Sequence, residues 1–228
     1  MKPVPRYLTE QVLADLKEKM VFVAGPRQVG KTTMARTLLH GPAGYLNWDI
    51  RSHRDLILRE EWPDVPLLIL DEIHKFRKWR NMLKGLFDQH RETRKILVTG
   101  SARLDYYRFG GDSLQGRYHL LRLNPLSVAE LGIRSPEDFK ALLCLGGFPE
   151  PYYGGSQARA RRWSKEYRSR LIEEDLAGLE SVHDMGSFEQ LMIRLPDLVG
   201  SPLSINALRE DLQLNHRTVA RWAVILER

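Results

Sequence analysis

Cysteine is nearly absent: Cys144 stands alone among 228 residues, which excludes a disulfide scaffold. Long apolar runs are missing too, and none approaches the roughly 18 residues that a membrane span requires. The segment Met1–Glu10 is polar, carries two prolines and lacks the apolar centre of a signal peptide. A reducing, cytoplasmic setting is therefore expected. Neither sign of charge dominates, since 35 Lys+Arg face 29 Asp+Glu for a formal net charge of +6. That balance permits a polyanionic partner without demanding one. No repeat or low-complexity tract is visible, and 43% hydrophobic residues exclude a disordered chain.

What is present points to one sizeable core domain with a smaller helical part. Residues 1–150 hold 24 basic and 18 acidic residues, whereas residues 151–228 hold 11 of each, so the positive excess lies in the first part. A local exception is Arg159, Arg161, Arg162, Lys165, Arg168 and Arg170, opposed by Glu166 alone and interleaved with Trp163 and Tyr167. This run reads as an amphipathic helix with a basic face. The face either pairs with Glu173, Glu174 and Asp175 one turn on, or binds phosphate or nucleic acid.

Leu8, Val12, Leu13 and Leu16 recur at helical spacing behind Thr9, an expected N-cap. The apolar runs Met20–Ala24 and Leu67–Leu70 read as strands, and Tyr45–Trp48, Ile96–Thr99 and Tyr118–Leu123 as further strand candidates. Helices are expected over Thr32–His40 and Trp79–His90, and helical patterns dominate from about Phe139 onward. Alternating strands and helices imply a parallel sheet covered on both faces.

Residues 25–32 read Gly-Pro-Arg-Gln-Val-Gly-Lys-Thr, the P-loop pattern, between an expected strand and an expected helix. Gly25 and Gly30 let the backbone turn its N–H groups inward on a phosphate, at which the next helix aims its positive end. Gly25, Pro26, Arg27, Gln28, Val29, Gly30, Lys31, Thr32 and Thr33 are thus expected to bind a nucleotide. In this pattern Lys31 reaches the β- and γ-phosphates, and the Thr32 hydroxyl ligates Mg²⁺.

Leu67–Leu70 runs directly into Asp71-Glu72, at the strand end where α/β ligand sites form. Asp71 suits the acid that helps hold Mg²⁺, and Glu72 a carboxylate that orients an attacking water. The alternative has Asp71 capping the next helix and Glu72 exposed to solvent. Ile96–Thr99 ends at Gly100-Ser101-Ala102-Arg103. In P-loop ATPases of the additional-strand type a strand lies between the P-loop strand and the acidic one. Thr99 and Ser101 suit its γ-phosphate-sensing tip, or else they merely close a turn.

The motifs GPRQVGKTT, LLILDEIHK, ILVTGSAR, SLQGRYHLLRLNPLSVAEL and LGGFPEPY occur in this order. Together they resemble the AAA-type P-loop ATPases of bacteria and archaea that carry a C-terminal domain of unknown function, over about Arg6 to Leu176. The resemblance implies a three-layer P-loop fold of the additional-strand type over residues 1–135. It implies ATP and Mg²⁺ as cofactors, Asp71 and Glu72 as the acidic pair, and Ser101 as a sensor. Arg117 is implied as the arginine that contacts a γ-phosphate, in cis or across a subunit interface of a homo-oligomer, with Arg103 and Arg27 as weaker candidates. Members of the family continue into a further domain, whereas this chain stops at Arg228 inside a helical pattern, as a truncated or partial chain would.

A helical linker is expected over residues 136–200 and a helix-turn-helix-like, winged-helix-type segment over 201–228. In that segment Ser204 is the expected N-cap, and Val219, Trp222, Ile225 and Leu226 face inward. As a DNA reader it would present His216, Arg217, Thr218 and Arg221. Its four basic and three acidic residues from Ser204 to Arg228 are a weak footprint for phosphate, and a packing lid is the preferred reading. His74 completes a helicase-like D-E-x-H string, but no second motor domain follows. Cys144 reads as a small buried hydrophobe, and Glu130 and Glu150 receive no role. The leading expectation is a Mg²⁺-dependent AAA-type ATPase. The alternative is a slow ATP-gated switch or DNA-binding regulator whose helical part meets DNA or protein.

Overall fold

A computed structural model describes residues 4–39, 41–101, 114–172 and 184–227. Its first part alternates helices and strands. Helix α1 (Thr9–Asp15) precedes β1 (Met20–Ala24), and α2 (Lys31–Thr37) precedes β2 (Tyr45–Asn47). Then follow α3 (Arg51–Arg59), β3 (Leu67–Asp71), α4 (Trp79–His90), β4 (Lys95–Thr99) and β5 (Tyr118–Arg122). The sheet order is β2-β3-β4-β1-β5, and every pairing is parallel. β4 therefore lies between the P-loop strand and the acidic strand, the additional-strand arrangement.

Each central strand is a continuous apolar run because both of its faces are covered. The period of two sorts those residues into two cores. Phe22, Leu68, Leu70, Ile96 and Val98 pack with Ile57 of α3 and Leu83 and Leu86 of α4. Val21, Val23, Ile69 and Leu97 pack with Val12 of α1 and Met34 of α2 on the other face. With every strand pointing the same way, the carboxyl ends of β1, β3 and β4 fall on one edge of the sheet.

Three local expectations are corrected. Thr9 is the first helical residue rather than the cap: Leu8 holds the N-cap position, and no side chain caps the helix. Helix α2 ends at Thr37, where Leu38 and Leu39 bond three residues back instead of four. Cys144 is exposed. It lies on α5 (Pro136–Leu145), which has no fully buried residue and leaves Phe139 and Leu143 in solvent as well.

The chain packs as two compact units, Met1–Gln157 and Ala158–Arg228. The first unit takes in α5 and α6 (Pro149–Gly154), because Gly147 sits against the backbone of Leu126 and its carbonyl accepts the Leu126 N–H at 2.7 Å. The second unit holds most of α7 (Gln157–Arg170), then α8 (Met185–Arg194), α9 (Ile205–Asp211) and α10 (His216–Glu227). Phe188, Leu191, Leu208, Val219 and Trp222 form its core, with the Phe188 and Trp222 rings edge to face at 5.2 Å. Ser204 accepts the Ala207 N–H to cap α9, and Asn215 accepts the Thr218 N–H to cap α10. On α7 Arg162 pairs with Glu166 at 2.8 Å, while Glu173, Glu174 and Asp175 lie outside the described residues.

Candidate functional site

The loop between β1 and α2 is shaped by backbone that few residues tolerate. Gly25 has φ 155°, and a Cβ there would collide with the Leu123 carbonyl beside the end of β5. Gly30 has φ 98°, and between them the non-glycine Gln28 is held at φ 60°. Left-handed turns of this kind direct successive N–H groups into one concavity, the anion-binding nest. Lys31 is buried, and its Nζ donates to the Gly25 and Pro26 carbonyls at 2.9 and 2.7 Å. The ammonium is thus held across the mouth of the loop. Thr32 is half-buried and Thr33 exposed at the start of α2.

The loop is braced from a distance. Arg6, 8% exposed, donates from Nη1 to the Val29 carbonyl at 2.6 Å and from Nη2 to the Asn124 carbonyl at 2.5 Å. Its Nε pairs with Glu130 Oε1 at 2.7 Å. Glu130 also accepts from the backbone N–H groups of Tyr7 and Ser127 and from the Ser127 hydroxyl. Burial pushes the Glu130 carboxyl up, but the Arg6 bond and these N–H donors outweigh it and hold it below its ordinary value. Sequence reasoning gave Glu130 no role and Arg6 no site. The two are 124 residues apart, and only the fold brings them together.

The tips of β3 and β4 complete the arrangement. Asp71 is 3% exposed and lies in register with Thr99. It accepts from Thr32 Oγ1 and Tyr45 OH at 2.7 Å each, from Thr99 Oγ1 at 2.6 Å, and from Asn47 Nδ2 at 3.4 Å. Burial, with the Asp71 bond, pushes the Tyr45 phenol up to about 12, so it remains a donor at neutral pH. Asp71 therefore joins the P-loop helix to β3 and caps nothing. Thr99 spends its hydroxyl on Asp71, while Ser101, 5% exposed, lies two residues past the end of β4.

Glu72 follows in left-handed backbone, φ 58°, with its N–H bonded to the Thr99 carbonyl at 2.9 Å. A strained conformation at a non-glycine residue persists only where its surroundings enforce it. Burial raises the Glu72 carboxyl above its ordinary value, against the pull of Lys75. The Lys75 ammonium lies 3.3 Å from Glu72 and 2.6 Å from Asp49. His74, on the turn Ile73–Lys75, places Nε2 3.3 Å from Ser101 Oγ and 3.8 Å from Glu72 Oε2.

The in-cis alternative for Arg117 requires a correction. Arg117 precedes β5 at the opposite edge of the sheet, where its carbonyl accepts the Met20 N–H at the entry to β1. The P-loop lies beyond the exit of that strand, four residue steps or about 13 Å away. The Arg117 guanidinium holds both oxygens of Asp88 on α4, at 2.8 and 3.1 Å. It does not reach a γ-phosphate bound in its own subunit. Arg27 lies in the P-loop, and Arg103 falls outside the described residues.

The family model described as an AAA domain matches residues 17–132, just over half of the chain. The chain belongs to the AAA domain family. Residues 136–228 match a second model, a domain of unknown function (DUF8612). An uncharacterized protein of Mycobacterium tuberculosis is 28% identical over 209 residues, covering 89% of this chain and 46% of the relative. The chain thus spans about half the length of that curated relative. Among solved structures, the Walker-type ATPase of Pyrococcus abyssi matches with a TM-score of 0.51 and 15% identity, over 93% of this chain and 92% of that one. DnaA from Aquifex aeolicus, bound to AMPPCP, matches with a TM-score of 0.44 and 14% identity, over 96% and 86%. The three-layer P-loop fold of the AAA domain is thereby shared with the Pyrococcus abyssi protein, and no helix among the described residues is long and apolar enough to cross a membrane.

Proposed function

We propose that this AAA domain binds ATP with Mg²⁺ and hydrolyses it to ADP and phosphate, coupling nucleotide state to conformation. The observation that carries the reading is the 2.7 Å bond from the Thr32 hydroxyl to Asp71. It joins the end of the P-loop to the acidic strand, across a sheet whose intervening strand ends at Thr99, two residues before Ser101. The donor set fits the group: Thr32 and Asp71 offer hard oxygen ligands, and Mg²⁺ characteristically takes one or two protein oxygens with the rest from phosphate and water. The Gly25–Gly30 backbone supplies N–H groups to the phosphates, and Lys31 supplies their counter-charge. Bound Mg²⁺ supplies further neutralisation of phosphate charge.

In this reading Glu72 orients the attacking water and Ser101 touches the γ-phosphate. The raised carboxyl of Glu72 suits a general base, because proton affinity is what a base needs. The α2 N-terminus adds a positive dipole end beside the same loop. Lys31→Ala is expected to abolish ATP binding in a fluorescent-nucleotide titration. Glu72→Gln is expected to keep binding and to lower phosphate release by about 100-fold or more. Steady-state release unchanged by Glu72→Gln would remove the catalytic assignment.

A second reading, a slow switch that regulates DNA contact, draws on the helical unit. There His216, Arg217 and Arg221 are exposed on one capped helix, with Thr218 half-buried beside them. Duplex binding that changes between ADP and a non-hydrolysable ATP analogue would favour it. No shift at low salt with either nucleotide would eliminate it.

A further inference from the structure

The turn that carries Glu72 also carries a charge that has no task in the function proposed above. Lys75 closes the turn Ile73–Lys75, three positions after Glu72, and its N–H donates to the Glu72 carbonyl at 3.1 Å. Side chains three apart fall on one side of a turn this tight. The Lys75 ammonium therefore stands beside the Glu72 carboxylate, 3.3 Å from Oε2. From its other side it donates to Asp49 Oδ2 at 2.6 Å. Asp49 follows the tip of β2 and is itself held, because its N–H donates to Asn47 Oδ1 at 2.7 Å. Asn47 in turn donates from Nδ2 to Asp71 Oδ2 at 3.4 Å. Asp71 and Glu72, adjacent in the chain, are thus joined a second time through β2.

This network adds little to the hold of β2 on β3. The Trp48 N–H already donates to the Asp71 carbonyl at 3.0 Å, and the Trp48 and Phe76 rings stack at 4.9 Å. The Lys75 and Asp49 side chains are 36% and 53% exposed, and ion pairs in such places contribute little to stability. The ammonium's effect falls on one carboxylate. The Glu72 backbone is fixed by its left-handed conformation and by the Thr99 carbonyl, but a glutamate's terminal torsion is broad and roughly two-fold. A general base works only when its oxygen is held within reach of the water it activates. Lys75 engages Oε2, and Oε1 is left without a bond among the described residues. We propose that Lys75, anchored by Asp49, is a positioning residue that fixes the Glu72 carboxylate and presents its Oε1 to the attacking water. Burial works against the ammonium, but the Asp49 bond and the Glu72 charge outweigh it and hold its pKa above the ordinary value. Neighbouring charges have other partners: Lys31 is bonded to the Gly25 and Pro26 carbonyls, and Asp71 to its own donors. No proton changes place; Lys75 acts by position and charge alone.

This inference deepens the ATPase reading and rests on it, so each variant is compared with Glu72→Gln. Single-turnover phosphate release is followed in the full chain, and affinity is read by fluorescent-nucleotide titration. Lys75→Met is expected to lower kcat about tenfold and to leave affinity within about twofold. Lys75→Arg, whose guanidinium can bridge the same two carboxylates, is expected to recover turnover to within about threefold of the wild type. Asp49→Asn keeps the ammonium but loosens its anchor, and is expected to lower kcat about threefold. Because Lys75 acts through Glu72, adding Lys75→Met to Glu72→Gln is expected to cost nothing further. Unaltered kcat in Lys75→Met, an arginine variant no better than methionine, or an undiminished loss in the Glu72→Gln background would overturn the proposal. Should the methionine variant not fold, Asp49→Asn makes the same comparison: unaltered kcat, or a loss that persists in Glu72→Gln, would overturn it equally. Turnover lowered by Glu72→Gln but not by Lys75→Met removes this inference alone. Turnover untouched by Glu72→Gln removes the catalytic assignment of Glu72 and this inference with it.

Discussion

Arg6 and Glu130 illustrate how much of the site depends on single residues outside any motif. The pair is almost fully buried, so removing one partner strands the other. Arg6→Ala is expected to cost about 3–5 kcal/mol in urea unfolding and to weaken ATP binding by about tenfold as the Val29 carbonyl loses its donor. Arg6→Leu with Glu130→Met should recover part of the stability but not the binding. The Glu130 carboxyl lies below its ordinary 4.5 in the folded chain. Its contribution is therefore complete above about pH 4.5 and disappears as pH falls through the lowered value. The stability gap between the wild type and Glu130→Gln should shrink accordingly from pH 6 to pH 3. Glu72 has the opposite sign, because its carboxyl is raised by burial. Its ionised form costs folding energy at neutral pH and costs nothing once both states are protonated. Glu72→Gln should therefore raise the melting temperature at pH 7 and leave it unchanged below pH 4, as scanning calorimetry would show.

At the scale of elements, the sequence was readable where burial writes a simple pattern. β1, β3 and β4 carry apolar runs of five, four and three residues because both faces are covered, and each ends where the site needs polarity. The P-loop and Asp71 were legible for the same reason. Whether Arg117 could act in cis was not legible, because a motif beside a strand does not say at which end of the sheet its side chain lies. Cys144 was misread because Leu-Leu-Cys-Leu is apolar on every face, and only packing decides which face is covered. Tyr45 and Asn47 were invisible as ligands of Asp71, since β2 reaches β3 only through a crossover. Helix α4 carries a local conflict: Arg77, Lys78 and Arg80 crowd its positive end, with no acid in the first turn and no side-chain cap. Lys78→Asp should stabilise the chain by about 0.5 kcal/mol at low salt, and less at high salt, in urea melts. Ser204→Ala should cost about 1 kcal/mol by removing the cap of α9.

At the scale of the molecule, the two units have separate cores, one around the sheet and one around Phe188 and Trp222. If the units melt independently, a ligand stabilises the unit that holds it. In calorimetry, ADP with Mg²⁺ at about 100 times Kd should move one transition by about 2.7 kcal/mol, and Phe188→Ala should lower the other. A single transition responding to both changes would show that the units melt together. The brace at Arg6 also carries a mechanical meaning. Its side chain ties the segment ahead of α1 to Val29 of the P-loop and to Asn124 after β5. Tension applied to that leading segment would reach the nucleotide loop before it sheared a single strand from the sheet. Grip on the nucleotide would fail at lower load than the fold itself, so a pulled or proteolytically threaded molecule would release its ligand first and unfold afterwards.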